Sequence, residues 1–332
     1  MDNICHTLVG AALAEAGLRK KTPLATGTLL VAANLPDVDG VLYWVSQADT
    51  AYGFRRGWTH GVLALALWPF VLTGLVLAWD RWVRRRRHPA AEPALPLALL
   101  GLSALALLTH LALDYLNTYG VRWLMPFQDA WSYGDTLFIA DPWVWLALGL
   151  GYYLSSRRRR RGAPHPERAA AWSLALVTLY IAVMGVSGLA ARAVARAAIE
   201  RSGVTVVRLM AGPFPATPFR RQIVAEAGDR YILGTVDWLH RPLFVPGAVS
   251  PVLKRDQQPA VAEAARTPSG VSFMRWARFP FYVVERGARA TVVRMVDARY
   301  TLDPEASFGA LSVTLPQAIP SSGVSANQEQ DP

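Results

Sequence analysis

Apolar residues gather in long uninterrupted runs through the first 190 or so positions of this chain, and in short runs after them. Gly61 to Trp79 and Leu95 to Leu113 are each nineteen positions without Asp, Glu, Lys or Arg, and His110 is the one ionisable interruption of the second. At about 1.5 Å per residue, each is long enough for roughly 30 Å of hydrocarbon. Thr136 to Leu154 forms a third stretch with Asp141 as its single acid, and Trp172 to Ala190 a fourth with none. The pattern predicts four membrane spans. Two shorter apolar helices precede them, Ile4 to Leu18 and Pro23 to Leu35, of a length that suits tilted, re-entrant or bundle-packed segments. From Val204 the runs are short and β-branched: Val204 to Leu209, Tyr231 to Leu233, Tyr282 to Val284, Thr291 to Val296 and Leu311 to Leu315, separated by Gly, Pro and Asp. The expected organisation is a polytopic α-helical membrane domain over 1–195, a β-rich extramembrane domain over 196–318 and a polar, disordered tail over 319–332.

Charge orients these elements. The chain has 34 Lys and Arg against 24 Asp and Glu, a net charge of +10, with 31 of the cations arginine. A surplus of this size suits either nucleic acid or a membrane surface. Its distribution favours the membrane: Arg19 to Lys21, the Arg81 to Arg87 run, and Arg157 to Arg161 with Arg168 put fourteen cations into alternate loops that abut spans, without the interleaved aromatics of a base-stacking surface. Those loops are expected to be cytoplasmic. The opposite loops hold only Arg55, Arg56 and Arg122 among eight acids, Asp2, Asp37, Asp39, Asp49, Asp114, Asp129, Asp135 and Asp141, and are expected to face outward, with the β-rich domain on the same side. No basic stretch precedes the first apolar piece, which is expected to stay in the mature chain. The single cysteine, Cys5, forms no internal disulfide and no thiolate cluster, so a metal must rest on His, Asp or Glu.

Three of the six histidines, His6, His60 and His110, fall at the expected outer ends of apolar segments, whereas His88, His165 and His240 lie elsewhere. Asp37 and Asp39 follow the second segment in Asn34-Leu-Pro-Asp-Val-Asp39, where Pro36 stops the helix. His110 and Asp114 are four apart and share one helix face. Ionisable groups at this depth are expensive and are usually paired or functional. Neutral imidazole with carboxylate is a donor set for a divalent ion, zinc first, with manganese or a two-metal site as alternatives. Candidate ligands are His6, Asp37, Asp39, His60, His110, Asp114 and Asp141. Asp141 precedes Pro142 and also reads as a helix N-cap. Asp37 or Asp39 would serve as general base, and Arg56 would steady developing negative charge. No GxSxG elbow and no GxxxxGK[ST] loop occurs, which leaves metal-activated water as the better nucleophile.

The ordered set His6, Asn34-Leu-Pro-Asp-Val-Asp39, Arg56-Gly-Trp-Thr-His60-Gly, His110-Leu-Ala-Leu-Asp114 with Asn117-Thr-Tyr-Gly120, and Phe138-Ile-Ala-Asp141-Pro resembles the YdjM-like bacterial inner-membrane metal-dependent hydrolases over roughly the first 190 residues. Pro218-Phe-Arg-Arg-Gln-Ile-Val and Asp297-Ala-Arg-Tyr300 resemble the β-rich extension of longer members, with Arg221 where a tryptophan is expected. The resemblance implies a multi-pass inner-membrane hydrolase with metal at the His and Asp motifs. Its site would open to the periplasm, next to lipid, making a membrane lipid or lipid-linked ester or phosphoester the natural substrate. The alternative is a non-catalytic membrane protein with a structural metal and a partner-binding β-rich domain.

Overall fold

The computed structural model describes residues 1–41 and 54–316. Asp49 and the tail expected over 319–332 lie outside the described residues. The chain divides into two compact units, Met1–Leu253 and a second beginning at Lys254.

The first unit opens with α1 (Asn3–Glu15) and α2 (Ala25–Ala32), followed by a 3-10 turn over Leu35–Val41. Then come α3 (Val62–Trp79), prolonged by a π turn (Asp80–Arg84) and a last turn Arg85–Arg87, α4 (Pro96–Tyr115), α5 (Pro142–Arg160) and α6 (Arg168–Glu200). Among the described residues three helices are long and apolar enough to cross a membrane: Val62–Arg87, Pro96–Tyr115 and Arg168–Glu200. The sequence pattern had put a fourth span at 136–154. Its first residues are not helical, because Asp141 caps the helix, accepting from Trp143 N at 3.0 Å and Val144 N at 3.3 Å, with Pro142 at the first helical position. Arginines occupy the last turn of α5, so its apolar part is short.

The 13 residues of α1 and 8 of α2 reach only about 20 Å and 12 Å. Both are packed within the bundle. Cys5, Val9 and Ala12 of α1 join Leu113, Val144, Leu148 and Val177, while Ala25, Leu29 and Ala32 of α2 pack with Leu72, Leu102 and Leu107. Gly10 makes the crossing of α1 over α2 close: a Cβ there would stand 2.9 Å from the Leu29 carbonyl oxygen. At the far end of α1, Glu15 accepts from Arg159 Nη2 at 2.9 Å and Nε at 3.1 Å, tying α1 to the end of α5.

The long helix α6 links bundle and sheet. Its first half belongs to the bundle, while Ala191 and Ala195 pack on Ala211, Ile223 and Val236, and Ile199 on Val206 and Ala225. Except for Val206, which precedes it, those partners belong to an antiparallel sheet ordered β1 (Arg208–Phe214), β2 (Thr217–Ala227), β3 (Arg230–Asp237) and β4 (Phe244–Pro246), with β5 (Val252–Leu253) also on β3. Arg221 of β2 is fully buried: it donates to the carbonyls of Met184 and Thr136 and, at 3.3 Å, to Ser187 Oγ, which also accepts from Trp238 Nε1 at 2.9 Å. Arginine in place of the expected tryptophan is thus a polar anchor between sheet and helix. The second unit holds α7 (Pro259–Arg266), α8 (Pro268–Trp276) and an antiparallel sheet β6 (Pro280–Arg286), β7 (Ala290–Asp297), β8 (Ala310–Pro316).

Gly10→Ala is expected to lower the thermal stability of detergent-solubilised protein by about 1–3 kcal/mol, the usual cost of overpacking. Gly27→Ala, where a Cβ meets nothing within 4 Å, should leave it unchanged or raised. Equal shifts in the two melting curves would contradict the close α1–α2 crossing.

Candidate metal centre

Four segments deliver side chains to one end of the bundle. α1 brings His6 on its first turns, held by the Asp2 cap, whose carboxylate accepts from Ile4 N at 2.9 Å, Cys5 N at 3.0 Å and Trp145 Nε1 at 3.1 Å. The 3-10 turn after α2 brings Asp37 and Asp39. The turn before α3 brings Arg56, Thr59 and His60, and the last turns of α4 bring His110 and Asp114.

Asp37, His60, His110 and Asp114 each offer one ligand atom, all within 4.8 Å of one another. His60 Nε2 lies 3.1 Å from His110 Nε2, 3.1 Å from Asp114 Oδ2 and 3.7 Å from Asp37 Oδ1; His110 Nε2 lies 3.4 Å from Asp114 Oδ2. Donors in tetrahedral array on one zinc, at about 2.0–2.1 Å, stand roughly 3.3 Å apart. His60, His110 and Asp114 are fully buried, and Asp114 Oδ2, Asp37 Oδ1 and both ring nitrogens of His6 have no hydrogen-bond partner. Buried polar atoms are rarely left so. The residues present therefore fit a divalent ion.

The hydrogen bonds behind the cluster fix which nitrogen faces it. The His110 Nδ1 lies 2.7 Å from the Ala33 carbonyl oxygen, which can only accept, so Nδ1 carries the proton and Nε2 a lone pair. For His60 the same result comes through Thr59. Its hydroxyl donates to Asp39 Oδ2 at 2.6 Å and therefore accepts from His60 Nδ1 at 2.8 Å, leaving Nε2 as a lone pair. Asp39 must be ionised for this. The Thr59 hydroxyl, the Arg56 N–H and the Arg55 guanidinium all face its oxygens and favour the carboxylate. Two neutral rings would then face each other with lone pairs 3.1 Å apart beside a carboxylate, an arrangement that a proton or a metal ion between them relieves.

Asp114 is divided between two tasks. Its Oδ2 faces the histidines, while Oδ1 accepts from Arg56 Nη2 at 2.9 Å and from the Met1 amino group. Arg56 is itself buried, donates to Asn117 Oδ1 and the Gly120 carbonyl, each at 3.3 Å, and lies 4.9 Å over the Tyr119 ring. Its backbone has φ +51°, a conformation costly for a residue with a Cβ. Asp39 Oδ2 accepts its N–H at 3.0 Å, and its carbonyl accepts from Arg122 N at 2.9 Å. Arg122 also donates to the Arg55 carbonyl at 2.7 Å and to Asp129 at 2.6 Å; a Cβ at residue 57 would come within 2.7 Å of its guanidinium and force it to shift from these bonds.

Sequence-expected ligands thus fall into four positions. Asp37, His60, His110 and Asp114 form the cluster. His6 stands beside it, its ring stacked on His110 at 3.9 Å between centroids and its Nε2 3.4 Å from Asp114 Oδ1 and 4.0 Å from Asp37 Oδ2. Asp39 lies behind His60. Asp141 stands apart: Oδ1 caps α5 and Oδ2 accepts from Tyr180 at 3.1 Å. Thr59 and Tyr119 were not singled out, although both lie within motifs already noted; a hydroxyl directly before a histidine is the available signal for Thr59.

Residues 1–191 match the family model described as YdjM inner membrane protein, more than half of the 332-residue chain. No curated protein and no solved structure matches it.

Thr59→Val is expected to weaken binding of zinc, measured by competition with a chromophoric chelator, by roughly 10–100-fold, while Thr59→Ser stays near wild type. Wild-type affinity in the valine variant would contradict the hydroxyl's part in orienting His60.

Proposed function

The chain belongs to the YdjM inner membrane protein family, and we propose that it is a membrane-bound, metal-dependent hydrolase of an ester or phosphoester in a lipid or lipid-linked substrate. The observation that carries the reading is the facing pair of His60 and His110 Nε2 atoms, 3.1 Å apart and flanked by the carboxylates of Asp114 and Asp37. Zinc suits this nitrogen and oxygen set best, and manganese is the alternative. When bound, such an ion makes a coordinated water acidic and polarises an ester or phosphoryl oxygen.

The chain's own groups take the remaining roles. His60, His110 and Asp114 hold the ion and leave one position for water, with Asp37 beside them. Asp37, whose Oδ1 lies 3.7 Å from His60 Nε2 without a hydrogen-bond partner, takes the proton of the attacking water. Asp39 keeps His60 in the ligating tautomer through Thr59. Arg56 holds Asp114 in place and brings positive charge next to the reacting centre. Arg55, with Nη2 3.8 Å from Asp37 and Nε 3.5 Å from Asp39, is less buried than Arg56 and is the better placed to meet an anionic substrate group. His6 supplies a third imidazole at the edge of the cluster.

In this reading α5 is a fourth crossing beside the three apolar helices, made short by its arginine end. The arginine-rich ends lie on the cytoplasmic side, and the centre opens on the periplasmic side, with a membrane domain over 1–195 and an outer domain over 196–318. One observation favours the second reading, a structural metal in a non-catalytic membrane protein: four buried donors can close a tetrahedral shell, as structural zinc sites do.

Two measurements separate the readings. Detergent-purified wild type is expected to hold near-stoichiometric metal, and His60→Ala and His110→Ala almost none; near-zero metal in all three would end the proposal. With lipid extracts as substrate, Asp37→Asn should lose hydrolysis by about 10²–10⁴-fold, the range of general base catalysis, with thermal stability nearly intact. Stability falling in step with metal content, with no turnover in wild type, would favour the structural site.

A further inference from the structure

At the end of the bundle away from the metal centre, the last two turns of α5 carry a recess of about 380 Å³ lined by Tyr152, Tyr153, Ser156, Arg157, Arg160 and Arg161. Tyr153, Arg157 and Arg160 follow one another at i, i+4 and i+7, which brings them to one helix face. The other arginines of the run turn elsewhere: Arg159 pairs with Glu15, and Arg158 donates to the Pro164 carbonyl at 3.0 Å. Among the described residues no carboxylate lies within ion-pair distance of Arg157, Arg160 or Arg161, and all three are exposed. Three guanidinium groups within two turns repel one another, so the recess is a site of unmatched positive charge.

Its level in the bundle follows from its neighbours. Ser155 Oγ accepts from Ala170 N at 2.8 Å, placing this part of α5 beside the first turn of α6, where an apolar helix long enough to cross a membrane begins at Arg168. Tyr152, Tyr153 and Trp172 are exposed at the same level. Aromatic rings in such a belt mark the headgroup boundary of a bilayer, with arginines just beyond it. From these observations we infer that the recess binds the headgroup of an anionic phospholipid. Guanidinium forks pair with phosphate oxygens, and the tyrosine rings lie along the glycerol and first methylenes. Three positive groups match a headgroup with two phosphodiesters, such as cardiolipin, better than one with a single phosphate. The inference is independent of hydrolysis at the metal centre.

The test uses full-length protein in a neutral detergent, with bound lipid counted by native mass spectrometry and melting temperature followed as lipid is added. Cardiolipin should raise the melting temperature by several degrees and remain bound, phosphatidylglycerol should do so more weakly, and phosphatidylcholine or inorganic phosphate should do neither. The triple variant Arg157→Gln, Arg160→Gln, Arg161→Gln should keep the lipid-free melting temperature and lose cardiolipin affinity about tenfold or more. The variant Arg81→Gln, Arg86→Gln, Arg87→Gln, which removes the same charge from another exposed run, should bind as wild type. Equal losses in the two variants, an equal shift with phosphatidylcholine, or a shift with phosphate alone would each overturn the assignment.

Discussion

Charge removed from water must be matched where it is buried, and the end of this bundle buries two aspartates and two histidines against one another. Asp114 illustrates the constraint. Its Oδ1 is met by Arg56 and the Met1 amino group, but its Oδ2 looks at two imidazole nitrogens whose protons point the other way. Negative charge and lone pairs meet there without a donor between them. A cation bound at that point turns a repulsive arrangement into a set of bonds, and the backbone around it is built to hold the repelling groups together.

That backbone is unusual where it has to be. α1 and α2 are too short to cross a membrane, yet they are needed because they raise His6 and Asp37 to the level of His110. The turn holding His60 is fixed by arginines rather than by apolar packing alone: Arg56 accepts a left-handed backbone conformation, and Arg122 clamps the carbonyls of Arg55 and Arg56 against a glycine. Hydrogen bonds of this density in a dry environment give rigid, specific geometry. Polar groups are otherwise concentrated at the two ends. Arginine runs sit at one, the metal centre at the other, and the apolar faces of α3, α4 and α6 lie between.

Much of this was legible in the residues. Long uncharged runs identified three helices long and apolar enough to cross a membrane because the bilayer sets that length and composition, and the i, i+4 spacing of His110 and Asp114 put both on one face because helix geometry is local. The start of the fourth apolar stretch was placed too early because hydropathy alone does not see where a cap and a proline begin a helix. The antiparallel sheet was anticipated as β-rich, but Val204 to Leu209 overlaps β1 only at its end, and the long strand β2 was signalled only by the resemblance over Pro218 to Val224, because Arg220, Arg221 and Gln222 interrupt its apolar pattern. The roles of Asp39 and Thr59 could not be read from spacing. Whether a carboxylate faces an ion or stands behind a histidine depends on tertiary placement, which two aspartates separated by a single residue do not encode.

X-ray absorption at the metal edge of the purified protein tests the central claim most directly. The account predicts a four-coordinate first shell of nitrogen and oxygen at about 2.0–2.1 Å, with the outer-shell scattering of two imidazole rings. A shell without imidazole would contradict it.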